Sequence, residues 1–385
     1  MPFAAALSEH PLPTHAIGEA VGQVLERLGE EPDAVVVFVS GGFVGAIEDL
    51  AATVRATLRP GALVGATASG VLGGEREVEH GAAVSLLAIR ADSDGPPATT
   101  VRLGAARRGE TWEIATDVDL AGAVGTLVLL ADPATFPVEP FLDDLASRSP
   151  QLQVVGGLAS SASGAGPTRL VADEHLLAAG AAGLLLPPSV EVRPVVSQGC
   201  RPVGEPLVVT RASGRMLEEI AGQPALDRLM AQAAEASSED RARMARGLQL
   251  GIVTDERKLE FDRGDFLIRP VLGADKEHRA VAVGTEVPVG ATVQFQVRDG
   301  DTADEDLRHL LAAAEGDQAA ALVFSCIGRG EALFGERHRD AHLASARVDG
   351  GPVAGMFCAG EIGPVGERAG VHAMTASIAL LSEGA

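Results

Sequence analysis

One pattern recurs three times along the chain and restricts its fold more than any other feature. The first copy is a β-rich apolar run, Val35-Val36-Val37-Phe38-Val39, ending at Ser40-Gly41-Gly42. Ile47, Leu50, Val54 and Leu58 follow at helical spacing, and Pro60 stops that helix. A second strand then runs into Val64-Gly65-Ala66-Thr67-Ala68-Ser69-Gly70, and an apolar strand over 83–89 closes the unit. The second copy has a strand at 126–130, a helix at 138–147 with Val138, Phe141, Leu142 and Leu145 facing a core, then Pro150. Val154-Val155-Gly156-Gly157-Leu158-Ala159-Ser160 and a closing strand over 181–186 complete it. The third starts at Ala321-Leu322-Val323-Phe324-Ser325-Cys326, resumes after Pro352 at 353–360 and closes over 377–381. From first-strand end to second-strand glycine the interval is 25 residues (Ser40 to Gly65), 24 (Asp132 to Gly156) and 30 (Ser325 to Gly355). This predicts an α/β fold, with α+β left open. A strand–helix–strand unit of this length makes either a βαβ crossover or a helix laid across an antiparallel sheet, and the sequence does not choose.

Between the second and third copies the texture changes. Pro187-Pro188 is a stiff break; Leu207-Val208-Val209-Thr210 reads as a strand, and a helix starts near Pro224 with Leu226, Leu229, Met230 and Ala233 on its apolar side. Residues 236–246 read as an exposed polar helix or loop, and 266–271 and 280–284 as strands. Thr292-Val293-Gln294-Phe295-Gln296-Val297-Arg298 alternates strictly, the mark of a strand with one wet face. Thr302-Ala303-Asp304-Glu305 reads as a capping box opening a helix with Leu307, Leu310 and Leu311 on its core side. The expected organisation is a helical lead-in over 1–32 and two domains, 33–190 and 191–385. Both are built from repeated strand–helix–strand units around β-sheets with Gly-rich turns at the strand ends.

Composition removes several function classes. With 31 Lys+Arg against 53 Asp+Glu, the formal charge is −22, and no basic stripe offsets it, so phosphate backbones and anionic membranes are excluded as partners. Aromatics are 3%, with no Tyr and Trp112 the single Trp, too few for base-stacking platforms. Residues 1–15 lack the basic and apolar regions of a signal peptide, and the most apolar stretch, 176–190, is broken by Gly180, Gly183, Pro187 and Pro188. Cys200, Cys326 and Cys358 form no C-x-x-C pair, which suits a reducing compartment; a cytoplasmic protein is expected.

No P-loop, H-E-x-x-H, G-x-S-x-G or EF-hand pattern is present. His338 and His342 stand at i and i+4, a zinc-chelating spacing, but the arginines and carboxylates around them read as a solvated polar segment. The Gly turns carry more chemistry, because glycine lets backbone N–H groups approach a ligand. If the repeats share a sheet face, Thr67, Ser69, Ser160, Cys326, Arg329, Cys358 and Glu361 converge on one cleft. There Arg329 would take a carboxylate bidentately, and Glu361 an ammonium or hydroxyl group. The alternative is that the glycines only permit tight turns and the polar groups satisfy buried backbone.

These residues reach a resemblance. The segments at 197–206, 223–226 and Phe324-Ser325-Cys326-Ile327-Gly328-Arg329-Gly330 resemble the C-terminal FIST domain (F-box and intracellular signal transduction proteins). So do Pro352-Val353-Ala354-Gly355, Gly360-Glu361-Ile362-Gly363 and Val371-His372-Ala373-Met374-Thr375-Ala376. The stretch 64–70 and Glu75-Arg76-Glu77-Val78 are similar to the family's N-terminal domain. The resemblance implies a sensory module that binds a small metabolite, an amino acid or carboxylate, rather than a catalyst. It implies no cofactor in the main line, and in one branch a haem-based nitric oxide sensor, for which His372, His338, Cys326 and Cys358 are the local axial candidates. With no output domain or F-box attached, the signal is expected to pass to a separate signalling protein. The alternatives are an enzyme with Cys326 as nucleophile and His372 as base, and an interaction scaffold.

Overall fold

A computed structural model describes residues 2–91, 95–109, 111–161, 167–366 and 368–384. By contact the chain forms two compact units: residues 1–196, 307–371 and 375–385 make the first, and 197–306 with 372–374 the second.

All three repeats lie in the first unit. Each is built on a parallel pair: Ala34–Ser40 with Ala62–Ala68, Gly125–Ala131 with Leu152–Leu158, and Ala320–Cys326 with Val353–Cys358. The crossovers are therefore βαβ units, and the fold is α/β. The closing strands Val84–Ile89, Ala181–Leu186 and Thr375–Glu383 run antiparallel beside the first strand of their own repeat. Beyond them lie Phe3–Ser8, Thr99–Arg108 and Val190–Gln198. The lead-in thus supplies a strand before its helix, Pro13–Leu28, which opens with proline where the missing N–H does no harm.

The other side of each parallel pair is completed by a different repeat. The hairpin of Val71–Gly73 and Arg76–Val78 from the first repeat pairs with Val353–Cys358 of the third. Leu170–Ala172 and His175–Leu177 from the second pair with Ala62–Ala68 of the first, and Glu361–Val365 from the third with Leu152–Leu158 of the second. The exchange is cyclic. Inner faces of the three sheets share one core, with Val36 and Phe38, Val128 and Leu130, and Leu322 and Phe324. Phe38 and Phe324 meet edge-to-face at 6.0 Å. The outer faces are covered by Pro13–Leu28 and Ile47–Leu58, by Val138–Arg148, and by Arg339–Arg347 with Leu307 and Leu311. Ile47, Leu50, Val54 and Leu58 are all buried, as their helical spacing requires.

The recurring glycine has a packing cause. Gly65, Gly156 and Gly355 pair with Val37, Leu129 and Val323. A Cβ at Gly65 would stand 2.6 Å from the Val37 carbonyl oxygen, and at Gly156 and Gly355 it would overlap the carbonyls of Leu129 and Val323. Close approach of two strands, not of a ligand, sets these glycines.

The second unit is a closed antiparallel barrel. Leu207–Ser213, Met216–Ile220, Ala280–Val283, Phe266–Asp275, Leu248–Val253 and Thr292–Arg298 form the ring, which closes where Thr292–Arg298 pairs with both Leu248–Val253 and Leu207–Ser213. Val209, Leu217, Leu250, Val281 and Phe295 fill it. The alternating strand has no wet face: Gln294 and Gln296 are buried, because the helix Ser238–Arg246 covers that side. Gln294 Nε2 donates to the Gly204 carbonyl at 2.8 Å. The helix read as opening at Thr302 starts earlier, at Gly300, and Asp299 accepts the Thr302 N–H at 3.0 Å. The carboxylate one residue before the helix caps it in place of the expected box.

Candidate functional site

The repeats supply their own comparison. Superposed on Gly65, Gly156 and Gly355 by strand register, Ser40, Asp132 and Cys326 become equivalent at the ends of the first strands. Val71, Leu170 and Glu361 become equivalent at the starts of the exchanged hairpins. All three hairpin positions have zero exposure. Two are aliphatic; the third is a carboxylic acid. The strand-end residues differ in the same repeat. Ser40 donates to the Gly81 carbonyl at 2.8 Å and accepts the Ala83 N–H at 2.7 Å. Asp132 accepts from Thr135 Oγ1 at 2.7 Å and from the Ala134 N–H at 3.2 Å. Cys326 hydrogen-bonds Glu361 instead.

Around Glu361 the third repeat builds a buried polar cluster. Thr375 donates to Glu361 Oε2 from Oγ1 at 2.7 Å and from its N–H at 3.2 Å, while Oε1 has no hydrogen-bond partner. Burial pushes this carboxyl up to about 8 despite those bonds. Arg329 is 1% exposed and lies close enough to favour the ionised acid. Its Nε and Nη2 donate to Asp340 at 2.7 Å each, Ser325 Oγ donates to the same carboxylate at 2.7 Å, and Phe334 lies 5.1 Å from the guanidinium. Nη1 is buried without a partner. Beyond Asp340 stands Glu77, from the first repeat's hairpin. Its Oε1 accepts the Ala341 N–H at 2.9 Å in the first turn of Arg339–Arg347, and Oε2 has no partner. Burial, and then the charge of Asp340, raises Glu77 to about 7. The arrangement is one fixed ion pair, Arg329–Asp340, flanked by two carboxyls that hold protons near neutrality. It can donate one N–H, and it can accept a cation by losing a proton.

The seven sequence-derived residues fall into three polar groups at the strand ends. Thr67 Oγ1 lies 2.8 Å from Ser161 Oγ and accepts the Arg169 N–H at 2.9 Å. Ser160 accepts the Ser69 N–H at 2.9 Å and donates to the Phe357 carbonyl. Cys358, beside Phe357, stands opposite Cys326 in strand register, with Glu361 and Arg329 beyond. The strand-end bends meet directly: Phe357 N–H donates to the Gly70 carbonyl at 3.0 Å, and Ala359 N–H to Leu158 at 3.0 Å. They close on one another. Two grooves lie elsewhere: one of about 420 Å³ along Leu142, Leu145, Leu152, Val154 and Arg368, and one of about 390 Å³ by Phe3, Arg90, Val190 and Glu383.

Three expectations change at this site. Arg329 does not offer its fork to a ligand carboxylate, because Asp340 occupies it. Asp340 itself falls in the run read as solvated, yet it is 1% exposed. Sequence reasoning missed it, since one buried acid among exposed charges leaves no periodic signal. Glu77, Ser325 and Thr375 each lay within a segment that carried the family resemblance, 75–78, 324–330 and 371–376, but no spacing marked them as members of a site. His338 takes no part in a zinc pair: its Nδ1 accepts the Glu77 N–H at 2.9 Å, and no group of three metal-ligating side chains occurs among the described residues. Cys326 hydrogen-bonds the Glu361 carboxyl. The haem candidates do not fit that group. Cys358 fills the space that Gly157 leaves open, Cys326 and His338 already hold hydrogen bonds, and none of the four lines either groove.

A three-repeat α/β body with exchanged hairpins and an arginine-anchored acid cluster at its strand ends defines the class. A family model described as the FIST N domain matches residues 33–223, and one described as the FIST C domain matches 224–364. The chain belongs to the FIST family, whose domains are of the sensory, signal-transducing kind. The boundary between the two matches falls inside the barrel unit. Among its relatives is "Uncharacterized protein Rv0628c" of Mycobacterium tuberculosis, 40% identical over 385 residues and covering 99% of each chain. Another is "Uncharacterized protein Mb0898c" of Mycobacterium bovis, 39% identical over 367 residues and 94% of each chain. Among the described residues no helix is long and apolar enough to cross a membrane.

Proposed function

We propose that the protein is a cytoplasmic sensory module that takes a small ammonium-bearing metabolite, an amine or amino acid, at the Glu361–Cys326–Arg329 cluster, which is closed in this structure and must open to admit it, and signals through a separate protein partner. One observation carries the reading: where two repeats bury Val71 and Leu170, the third buries Glu361. The fold is served by an aliphatic side chain there, and burying a carboxyl is unfavourable unless something compensates it. Its chemistry names the guest. A carboxyl protonated up to about pH 8 becomes a carboxylate when a cation is offered, and its proton leaves to solvent. Arg329 Nη1 and Glu77 Oε2 supply one further donor and one acceptor.

Titration calorimetry against amino acids and amines, in two buffers of different ionisation enthalpy, tests this. Binding by one or more compounds is expected, with a proton released below about pH 8, and Glu361→Gln should weaken it about tenfold or more, at least ~1.4 kcal/mol. Silence across the panel from folded protein, or equal affinity in the variant, would overturn the proposal.

A further inference from the structure

The strand Thr111–Thr116 is the outer edge of the seven-stranded sheet, and five of its six residues are exposed, with Ile114 half-buried. Edges of this kind are normally short, covered, or interrupted by proline or charge. The other sheets of this unit follow that rule: His175–Leu177 and Arg76–Val78 have three residues each, Phe3–Ser8 is mostly buried, and Val190–Gln198 carries Pro194. Thr111–Thr116 has no proline or lysine and a single acid, and it exposes Trp112 by 40%.

Its hydrogen-bonding face follows from the ladder. The Asp117 N–H donates to the Arg102 carbonyl, in the same register that pairs Leu103 with Thr116. Backbone groups alternate along a strand, so Thr111, Glu113 and Ala115 bond inward to Thr99–Arg108. Trp112, Ile114 and Thr116 point their N–H and C=O groups outward. Those groups are free among the described residues.

We propose that two copies of the chain pair antiparallel along this edge, with Ile114 opposite the second copy's Ile114. Of the registers that keep each sheet face continuous, this one joins all the outward groups: Ile114 pairs with Ile114, and Trp112 with Thr116 on both sides of the axis, giving six backbone hydrogen bonds. It sets Glu113 against Ala115. Both registers shifted by two join fewer groups, and one of them opposes Glu113 to Glu113, where like charges directly opposite are destabilising. The strand is therefore complementary to itself in hydrogen bonding, with no like charges opposed, and a two-fold pairing closes at a dimer. A strand edge with two tryptophans is smaller than a standard interface of ~1,600 Å², so the dimer belongs to the weak, reversible class.

Sedimentation of the full chain across concentration tests the pairing, together with Ile114→Pro. That substitution removes an N–H that the inward ladder does not use, and edge strands tolerate proline. The wild type should pass from monomer to dimer, Ile114→Pro should remain monomeric with an unchanged circular dichroism spectrum, and exchange protection at the Trp112, Ile114 and Thr116 amides should rise with concentration. A wild type that stays monomeric, one that forms higher polymers, or these three amides unprotected in a dimer would overturn the proposal, and the last reading stands even if Ile114→Pro fails to fold. The ligand site uses none of these residues, so either proposal can fail alone.

Discussion

At the scale of single residues, the cluster makes stability depend on pH in an unusual direction. Glu361 holds its proton to about pH 8 in the folded chain, against 4.5 for an unperturbed glutamate, and Glu77 to about 7. Across that window the folded state binds more protons than the unfolded one, so this contribution is full below the unfolded value and is lost as pH rises through the folded values. The urea midpoint should therefore fall between pH 4.5 and about pH 8, by an amount worth a few kcal/mol, because each tenfold difference in proton affinity between the two states is worth ~1.36 kcal/mol. Glu361→Gln, which keeps the shape and removes the titration, should flatten that slope; a slope unchanged in the variant would place the titrating group elsewhere. The ion pair behaves differently. Arg329→Met leaves Asp340 buried and unpaired, which should lower stability by about 3–5 kcal/mol, whereas Arg329→Met with Asp340→Leu should recover most of it. Urea unfolding of the single and double variants measures both. Cys326, Arg329 and Glu361 were legible in the sequence because they flank the recurring turns. The acids that tune them were not, since nothing in a linear pattern shows that Asp340 folds back onto Arg329.

At the scale of elements, what could be read was what carries a period. The helix Ile47–Leu58 and the parallel strand pairs announced themselves through apolar spacing and a recurring glycine. Val71–Gly73 and Arg76–Val78 did not, because three residues are too few to display alternation. Gln294 and Gln296 misled, because alternation reports residue type and not what covers the face. Two glycines in contrasting surroundings test the packing cause. Gly355→Ala would drive a Cβ into the Val323 carbonyl and against Leu72, and it should destabilise by about 2 kcal/mol or more, since neither backbone can yield without breaking the ladder. Gly18→Ala, on the exposed face of Pro13–Leu28 with nothing within 4 Å, should instead stabilise by about 0.5–1 kcal/mol. Thermal unfolding of the two variants measures both signs at once. If Gly355→Ala proved neutral, the recurring glycine would lose its packing explanation, and a role in approaching a ligand would return.

At the scale of the molecule, the exchanged hairpins decide how the first unit holds together. No repeat owns a complete sheet: the first lends Val71–Gly73 to the third and receives Leu170–Ala172 from the second. This could not be read from the sequence, because the lending segments resemble any tight turn and their pairing partners lie in other repeats. Its energetic consequence is cooperativity, since losing one hairpin strips a neighbour's parallel pair of its edge. Leu72 makes this measurable. It belongs by sequence to the first repeat, yet it is fully buried in the outer core of the third sheet with Val323 and Val353. Leu72→Ala should destabilise the unit by about 2–5 kcal/mol. Hydrogen exchange should show protection falling together in Ala320–Cys326 and in Ala34–Ser40, because both open only when the unit opens. Loss confined to the strands of a single repeat would mean that the repeats unfold one at a time, and that the cyclic exchange does not couple them.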